Sequence, residues 1–359
     1  MAEQPGEAPE ISIRSLYKIF GRNAAAALDL VKQGMSKAEL NEQYGQILGL
    51  RDINIEMPGG SIQVIMGLSG SGKSTLIRHI NRLIEPSAGQ VLVGGTDVVT
   101  MNQADLQAFR RHKTAMVFQR FALLPHRTVL ENAVYGPEIR GLPRARQVDA
   151  AMGWIERVGL KGFEKHYPNQ LSGGMQQRVG LARALANDAP VLLMDEAFSA
   201  LDPLIRTDMQ TILLDLQKEI KKTIVFITHD LDEALRLGDR IAILRDGAVI
   251  QQGTGQDIVL RPADDYISRF VQHVNRGRVL LASTVMTRAA NASAGDLEIP
   301  MDASLESALR IMRQADRREA QVVDAKGNPV GRIDADSLVS AMLDGEDPDD
   351  AQRQTRPAG

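Results

Sequence analysis

The run Gly67-Leu68-Ser69-Gly70-Ser71-Gly72-Lys73-Ser74-Thr75 follows directly on the apolar stretch Ile62-Gln63-Val64-Ile65-Met66. A buried strand that turns through such a loop into a helix restricts the chain to folds that present backbone N–H groups at a sheet edge. Glycine lets these donors converge on an anion at the positive end of the following helix. The spacing G-x-x-x-x-G-K-S assigns Lys73 to the β- and γ-phosphates of a nucleotide and the Ser74 hydroxyl to Mg2+. Gly67, Ser69, Gly70, Ser71, Gly72, Lys73, Ser74 and Thr75 therefore form the candidate phosphate site. Kinases, GTPases and transport ATPases all use such a loop, so it does not by itself choose the reaction.

The bulk properties narrow the setting. The 359 residues, 43% of them hydrophobic, suffice for one large domain and a smaller one. A net charge of −3 gives no overall basic field, so no nucleic-acid partner is expected. The absence of cysteine excludes disulfides, thiol catalysis and Cys-ligated metals. Met1 to Glu10 is polar and acidic, without the apolar centre of a secretory signal, and no stretch approaches the roughly 20 apolar residues that span a bilayer.

Strand signals open at Ile11-Ser12-Ile13 and recur as the alternation Ile53, Ile55, Met57. Between them, Arg22 to Gly49 reads as an insertion of two short helices. One runs from Ala24 to Gln33 and stops at Gly34; the other starts on the capping box Ser36-Lys37-Ala38-Glu39, reaches Tyr44 and stops at Gly45. Helical patterns dominate from about Ala104 to Ala186, followed by the doubly apolar strands Val191-Leu192-Leu193-Met194 and Ile224-Val225-Phe226-Ile227. Strands apolar on both faces, alternating with helices, predict an α/β fold with a mostly parallel sheet. Asp246-Gly247 reads as a hairpin turn. A break is expected from Asn275 to Ser283, which gives a first domain over 11–275, a small domain over 284–343 and disordered ends at 1–10 and 344–359.

Four further motifs follow the loop in order. Gln119 ends the short strand Met116-Val117-Phe118. Leu171-Ser172-Gly173-Gly174-Met175-Gln176-Gln177-Arg178 opens a helix whose Ser172 hydroxyl and N–H groups can hold a phosphate. Asp195-Glu196 ends a buried strand, where one carboxylate can hold a metal and the next can polarise a water. Ser199-Ala200-Leu201-Asp202 follows, and His229 stands at the end of the second buried strand.

This set, in this order, resembles the ATP-binding subunit of ABC transporters over roughly residues 11 to 260. The resemblance implies a P-loop ATPase with a mostly parallel core sheet, an antiparallel β subdomain and a helical subdomain, with ATP and Mg2+ as its ligands. It implies Glu196 as general base, His229 as the switch histidine on the γ-phosphate, Gln119 as a contact to Mg2+ or the attacking water, and Asp195 with Ser74 as metal ligands. It makes Ser172, Gly173, Gly174 and Gln176 the signature that closes over the nucleotide of a second copy, and Asp202 part of the loop through which the two sites sense each other. An aromatic residue is expected to stack on adenine: Phe20, in Lys18-Ile19-Phe20-Gly21, is preferred and Tyr17 competes.

The insertion and Asn81-Arg82-Leu83-Ile84-Glu85-Pro86 are similar to the glycine betaine/proline (quaternary amine) importer ATPases. Residues 284–343 are similar to a single CBS motif through Val322-Val323-Asp324, Val330-Gly331-Arg332-Ile333 and Asp336-Ser337-Leu338. Arg310, Arg313 and Arg317 share one helical stripe there and are a candidate sensor of salt or anionic lipid. The implied partners are a second copy, integral membrane permease subunits and, indirectly, an extracytoplasmic substrate-binding protein; the implied place is the cytoplasmic face of the inner membrane. An amino-acid or methionine importer, a soluble non-transport ABC ATPase and a sensor without turnover are the alternatives. The last needs damaged catalytic groups, whereas Glu196 and His229 are both present.

Overall fold

A computed structural model describes residues 8–119, 122–199, 201–272, 274–288 and 297–343. The expectations for the tail 344–359 and for most of the N-terminal segment lie outside these residues. The chain divides into two compact units, 1–252 and 253–359.

In the first unit, strand β1 (Ile11–Phe20) is followed by helices α1 (Ala24–Lys32) and α2 (Lys37–Tyr44) and then by strand β2 (Ile47–Met57). The two helices are the expected insertion. The Ser36 hydroxyl accepts from the Glu39 amide and the Glu39 carboxylate accepts from the Ser36 amide, while Gly45 ends α2 at φ 60°. Val31 and Leu40 bury against Ile19 and Leu48, which clamps the insertion to the strands it interrupts. At about 1.5–3 kcal/mol for each buried aliphatic side chain, this cluster outweighs the weak intrinsic stability of two such short helices.

The chain continues through β3 (Ile62–Met66), α3 (Lys73–Ile80), β4 (Ala88–Val93), β5 (Thr96–Asp97), α4 (Gln103–His112) and β6 (Thr114–Val117). Then come α5 (Val129–Ala133), α6 (Tyr135–Ile139), α7 (Arg144–Arg157) and α8 (Gly173–Ala186), which form the helical part. The unit closes with β7 (Val191–Asp195), α9 (Pro203–Ile220), β8 (Thr223–Thr228), α10 (Leu231–Leu237), β9 (Arg240–Arg245) and β10 (Ala248–Gly253). Asp246 and Gly247 both take positive φ between β9 and β10, as a tight hairpin turn of this twist requires.

Two sheets result. An antiparallel one has the order β2-β1-β4-β5, and a six-stranded one has the order β10-β9-β3-β8-β7-β6, parallel from β9 through β6. One core joins them: Ile13, Ile55 and Val91 from the first sheet, Leu76 and Ile80 from α3, and Leu193, Val225 and Ala242 from the second. Strands β3, β7 and β8 are buried throughout, in keeping with their unbroken apolar runs. Because β3, β8, β7 and β6 are consecutive neighbours, their carboxyl ends open onto one edge, where ligands of parallel α/β sheets bind.

The second unit holds α11 (Gly255–Leu260), α12 (Asp265–Val271), α13 (Arg276–Val279), α14 (Ala282–Val285), β11 (Glu298–Pro300), α15 (Leu305–Gln314), β12 (Glu319–Val323), β13 (Pro329–Asp334) and α16 (Ala335–Leu343). Strand β11 runs parallel to β12 around α15, which buries Leu305, Ala308 and Met312, and β12 is antiparallel to β13. The compact-unit boundary after Gln252 lies upstream of the break expected at 275–283.

Candidate functional site

Gly67 takes φ 150°, and a β-carbon there would lie 2.2 Å from the Leu244 carbonyl oxygen; Gly72 takes φ 103°, with a β-carbon 2.7 Å from the Gly49 carbonyl oxygen. Neither position accepts a side chain. Gly72 is also the residue before α3, and no side chain caps that helix, so its first N–H groups are left for another acceptor. The loop lines a cavity of about 560 Å³ together with Phe20, Lys73, Gln119, Glu196 and His229. Ser69, Gly70, Ser74 and Thr75 also lie on its wall.

Lys73 is almost wholly buried. Its ammonium donates to the carbonyls of Gly67 at 2.8 Å and Leu68 at 3.1 Å and lies 3.7 Å from Glu196 Oε1. Desolvation lowers its pKa, against the opposing fields of Glu196 and Asp195. The Ser74 hydroxyl donates to Asp195 Oδ1 at 2.7 Å, and Arg78 Nη2 donates to Asp195 Oδ2 at 3.2 Å. Asp195 has no exposed surface, so a buried carboxylate is matched by one hydroxyl and one guanidinium.

Three groups converge on Glu196. Gln119 Nε2 donates to Oε2 at 2.8 Å, His229 Nδ1 lies 3.7 Å from the same oxygen, and Lys73 faces Oε1. The Glu196 backbone stands at φ 48°, a left-handed conformation that costs about 1 kcal/mol or more for a residue with a β-carbon. Its amide donates to the Ile227 carbonyl at 3.2 Å and its carbonyl accepts from the Ser199 hydroxyl at 3.0 Å, so the next strand and the following turn hold this conformation.

Phe20 is half-exposed at the cavity, under the Lys18 ammonium at 5.0 Å, whereas Tyr17 packs with the insertion cluster beside Lys32. The signature residues stand elsewhere. Ser172 caps α8 by accepting from the Met175 amide at 3.3 Å, and Gln176 donates to the Pro168 and Leu171 carbonyls. A β-carbon at Gly174 would meet Leu201, and Asp202 caps α9 through the Ile205 amide. Gly173 begins α8. None of Ser172, Gly173, Gly174, Gln176 and Asp202 lines the cavity that the phosphate loop lines.

Sequence reasoning passed over Arg78 and Lys37. Arg78 could have been found, because it lies four residues from Ser74 on α3 and so shares its face. Lys37, on the insertion, also lines the cavity, and no local pattern announces this.

A phosphate loop after β3 of a parallel sheet, with a carboxylate pair at the end of β7 two strands away, defines a P-loop nucleotide-binding ATPase. The family model described as "ABC transporter" matches residues 50–199. The Escherichia coli (strain K12) glycine betaine/proline betaine transport system ATP-binding protein ProV is 46% identical over 93% of this chain and 82% of its own length. The trimethylamine N-oxide transport system ATP-binding protein TmoW of Pelagibacter ubique (strain HTCC1062) is 42% identical over 94% and 98%. Among solved structures, the dimeric post-hydrolysis state of the ATP-binding cassette MJ0796, bound to ADP and Pi, superposes with a TM-score of 0.59 at 32% identity, over 68% of this chain and 98% of that one. The chain belongs to the ABC transporter family, as an ATP-binding subunit that couples ATP hydrolysis to transport. Among the described residues no helix is long and apolar enough to cross a membrane.

Proposed function

We propose that the chain drives uptake of a quaternary amine or related osmoprotectant, such as glycine betaine, choline or proline betaine, as the ATPase of an importer. The support for the substrate is likeness to relatives named for methylated amines across more than nine-tenths of the chain. Two copies sandwich ATP and sit on integral membrane permease subunits at the cytoplasmic face, and a substrate-binding protein outside selects the cargo. Residues 284–343 serve as a CBS-like regulatory domain, a reading supported by the parallel β11–α15–β12 unit followed by β13 and α16.

The observation that carries the catalytic reading is the convergence of Gln119, His229 and Lys73 on Glu196. In this reading ATP stacks its base on Phe20 and places its phosphates over the loop from Gly67 to Thr75. Lys73 leaves the Gly67 and Leu68 carbonyls for the β- and γ-phosphates. Glu196 accepts a proton from the water that attacks the γ-phosphorus, the bond to the β-bridging oxygen breaks, and ADP departs. Gln119 orients the carboxylate and the water, and His229 donates to a γ-phosphate oxygen. Ser172 of the partner subunit, with the N–H groups at the start of the partner's α8, completes the phosphate cage from the opposite side.

The chemistry of Ser74 and Asp195 fits Mg2+: one hydroxyl and one carboxylate oxygen, 2.7 Å apart, are hard oxygen donors that would hold it. Bound there, it would supply charge neutralisation for the phosphates of the nucleotide.

The test is Glu196→Gln, which keeps the shape and removes the basic oxygen. ATP turnover by the assembled transporter is expected to fall more than about 100-fold while ATP binding persists and the nucleotide-bound dimer accumulates. Turnover within a few-fold of the parent removes Glu196 from the base role.

A further inference from the structure

The insertion between β1 and β2 reaches the nucleotide pocket through one side chain. The capping box on Ser36 and Glu39 fixes the first turn of α2, and buried Leu40 fixes its distance from the sheet. Lys37, the first residue of that helix, is held by both. Its ammonium donates to the Gly70 carbonyl at 3.3 Å and stands on the wall of the cavity lined by Phe20, Ile47 and Lys73. A second cavity of about 680 Å³ lies behind it and shares Lys37, Ile47 and Leu48. Lys37, Ile47 and Leu48 thus line both spaces.

Among the described residues no carboxylate forms an ion pair with Lys37, and the Gly70 carbonyl is its one hydrogen-bond acceptor. An ammonium has three donors, so two of them face the cavity and water. The other lysine of the pocket is already engaged by two carbonyls and Glu196. Along the cavity, Phe20 and Ile47 mark the end suited to a flat base and Gly70 marks the phosphate turn. The Lys37 ammonium stands at that turn, 3.3 Å from the Gly70 carbonyl, on a wall shared with Phe20 and Ile47.

We propose that Lys37 is a nucleotide-binding residue, supplied by the insertion, whose ammonium contacts the α-phosphate or ribose oxygens of a bound adenine nucleotide. The inference rests on the pocket's being the nucleotide site. It gives the insertion a role in nucleotide affinity in addition to packing. A charged donor to phosphate is among the stronger single contacts available to a ligand, and tenfold in affinity is its ordinary scale.

The probe is ADP, which is not hydrolysed and needs no second copy, titrated calorimetrically into the purified full chain. Lys37→Met keeps the aliphatic stem and removes the charge, and its ADP dissociation constant is expected to rise five- to tenfold. Lys37→Ala is expected to match it, and Lys37→Arg to return within twofold of the parent. ADP affinity unchanged in Met and Ala variants overturns the proposal, and so does a fall in melting temperature unaccompanied by any change in ADP affinity. A parent chain that binds no ADP overturns the nucleotide pocket itself, a failure separate from the first.

Discussion

Two helices in this chain begin on glycine-rich turns, and they begin differently. Helix α3 follows Gly72 with no side-chain cap, next to buried Lys73, and opens into a cavity of its own chain. Helix α8 is capped by the Ser172 hydroxyl, with Gly173 and Gly174 in its first turn and Ser172 exposed to solvent. The contrast separates two ways to use a helix N-terminus. The first leaves its donors for a ligand that lysine and serine side chains also grip. The second has one donor taken by its own Ser172 hydroxyl and presents a small-residue surface that another body can approach closely. One is half a site with its counter-charges in place; in the proposed dimer, the other is the half that a second copy brings.

The sharpest way to break this comparison is Lys73→Ala. If α3 carries the phosphate grip, hydrolysis by the assembled transporter falls about 10³-fold, as when an electrostatic clamp on a transferring group is removed. Activity within tenfold of the parent makes the two helix starts equivalent and the contrast empty.

A second prediction concerns what holds α3 in place. His79 is buried in that helix, and its Nδ1–H donates to the Thr75 carbonyl at 2.7 Å, which leaves Nε2 as an unprotonated nitrogen without a partner. Burial pushes its pKa down to about 4. Below pH 6.5 the unfolded chain binds a proton that the folded chain refuses until about pH 4. Stability is therefore complete above pH 6.5 and falls through that window, by about 3 kcal/mol at its lower end. Urea unfolding of the parent and of His79→Gln, compared at pH 7 and pH 4.5, should show the acid loss shrinking in the variant. Equal losses remove His79 from the account.

The smallest effect tests the other helix. Ser172→Arg is expected to lower ATP turnover about 10²-fold, since the second copy's phosphate contact is lost, while ADP affinity of the single chain stays within twofold. A matching loss of ADP affinity would place Ser172 in its own chain's pocket.

The phosphate loop was legible because its chemistry is local: glycine spacing, one lysine and one hydroxyl identify themselves wherever the chain goes. The insertion was legible for the same reason, through a capping box and a left-handed glycine that the structure reproduces at Ser36 and Gly45. Legibility failed where register and distance decide. The short strand read at Met116-Val117-Phe118 lies instead at Thr114–Val117, because a strand so short carries too little alternation to set its own ends. The position of Lys37 depends on the packing of Leu40 against β2, a contact between elements that no window of sequence contains. The unit boundary after Gln252 follows from where contacts thin out, whereas Arg276-Gly277-Arg278, which reads as a break, lies wholly within helix α13.

The pairing of Arg78 with Asp195 has a consequence for how the pocket fills. A carboxylate sealed from water already has a resident cation on Oδ2, so its charge is partly answered within the chain, while Oδ1 faces the Ser74 hydroxyl. A divalent ion held by Ser74 and Asp195 would therefore meet a carboxylate whose charge is already shared. The Arg78 side chain, 41% exposed, ties that sealed carboxylate to the solvent side of α3.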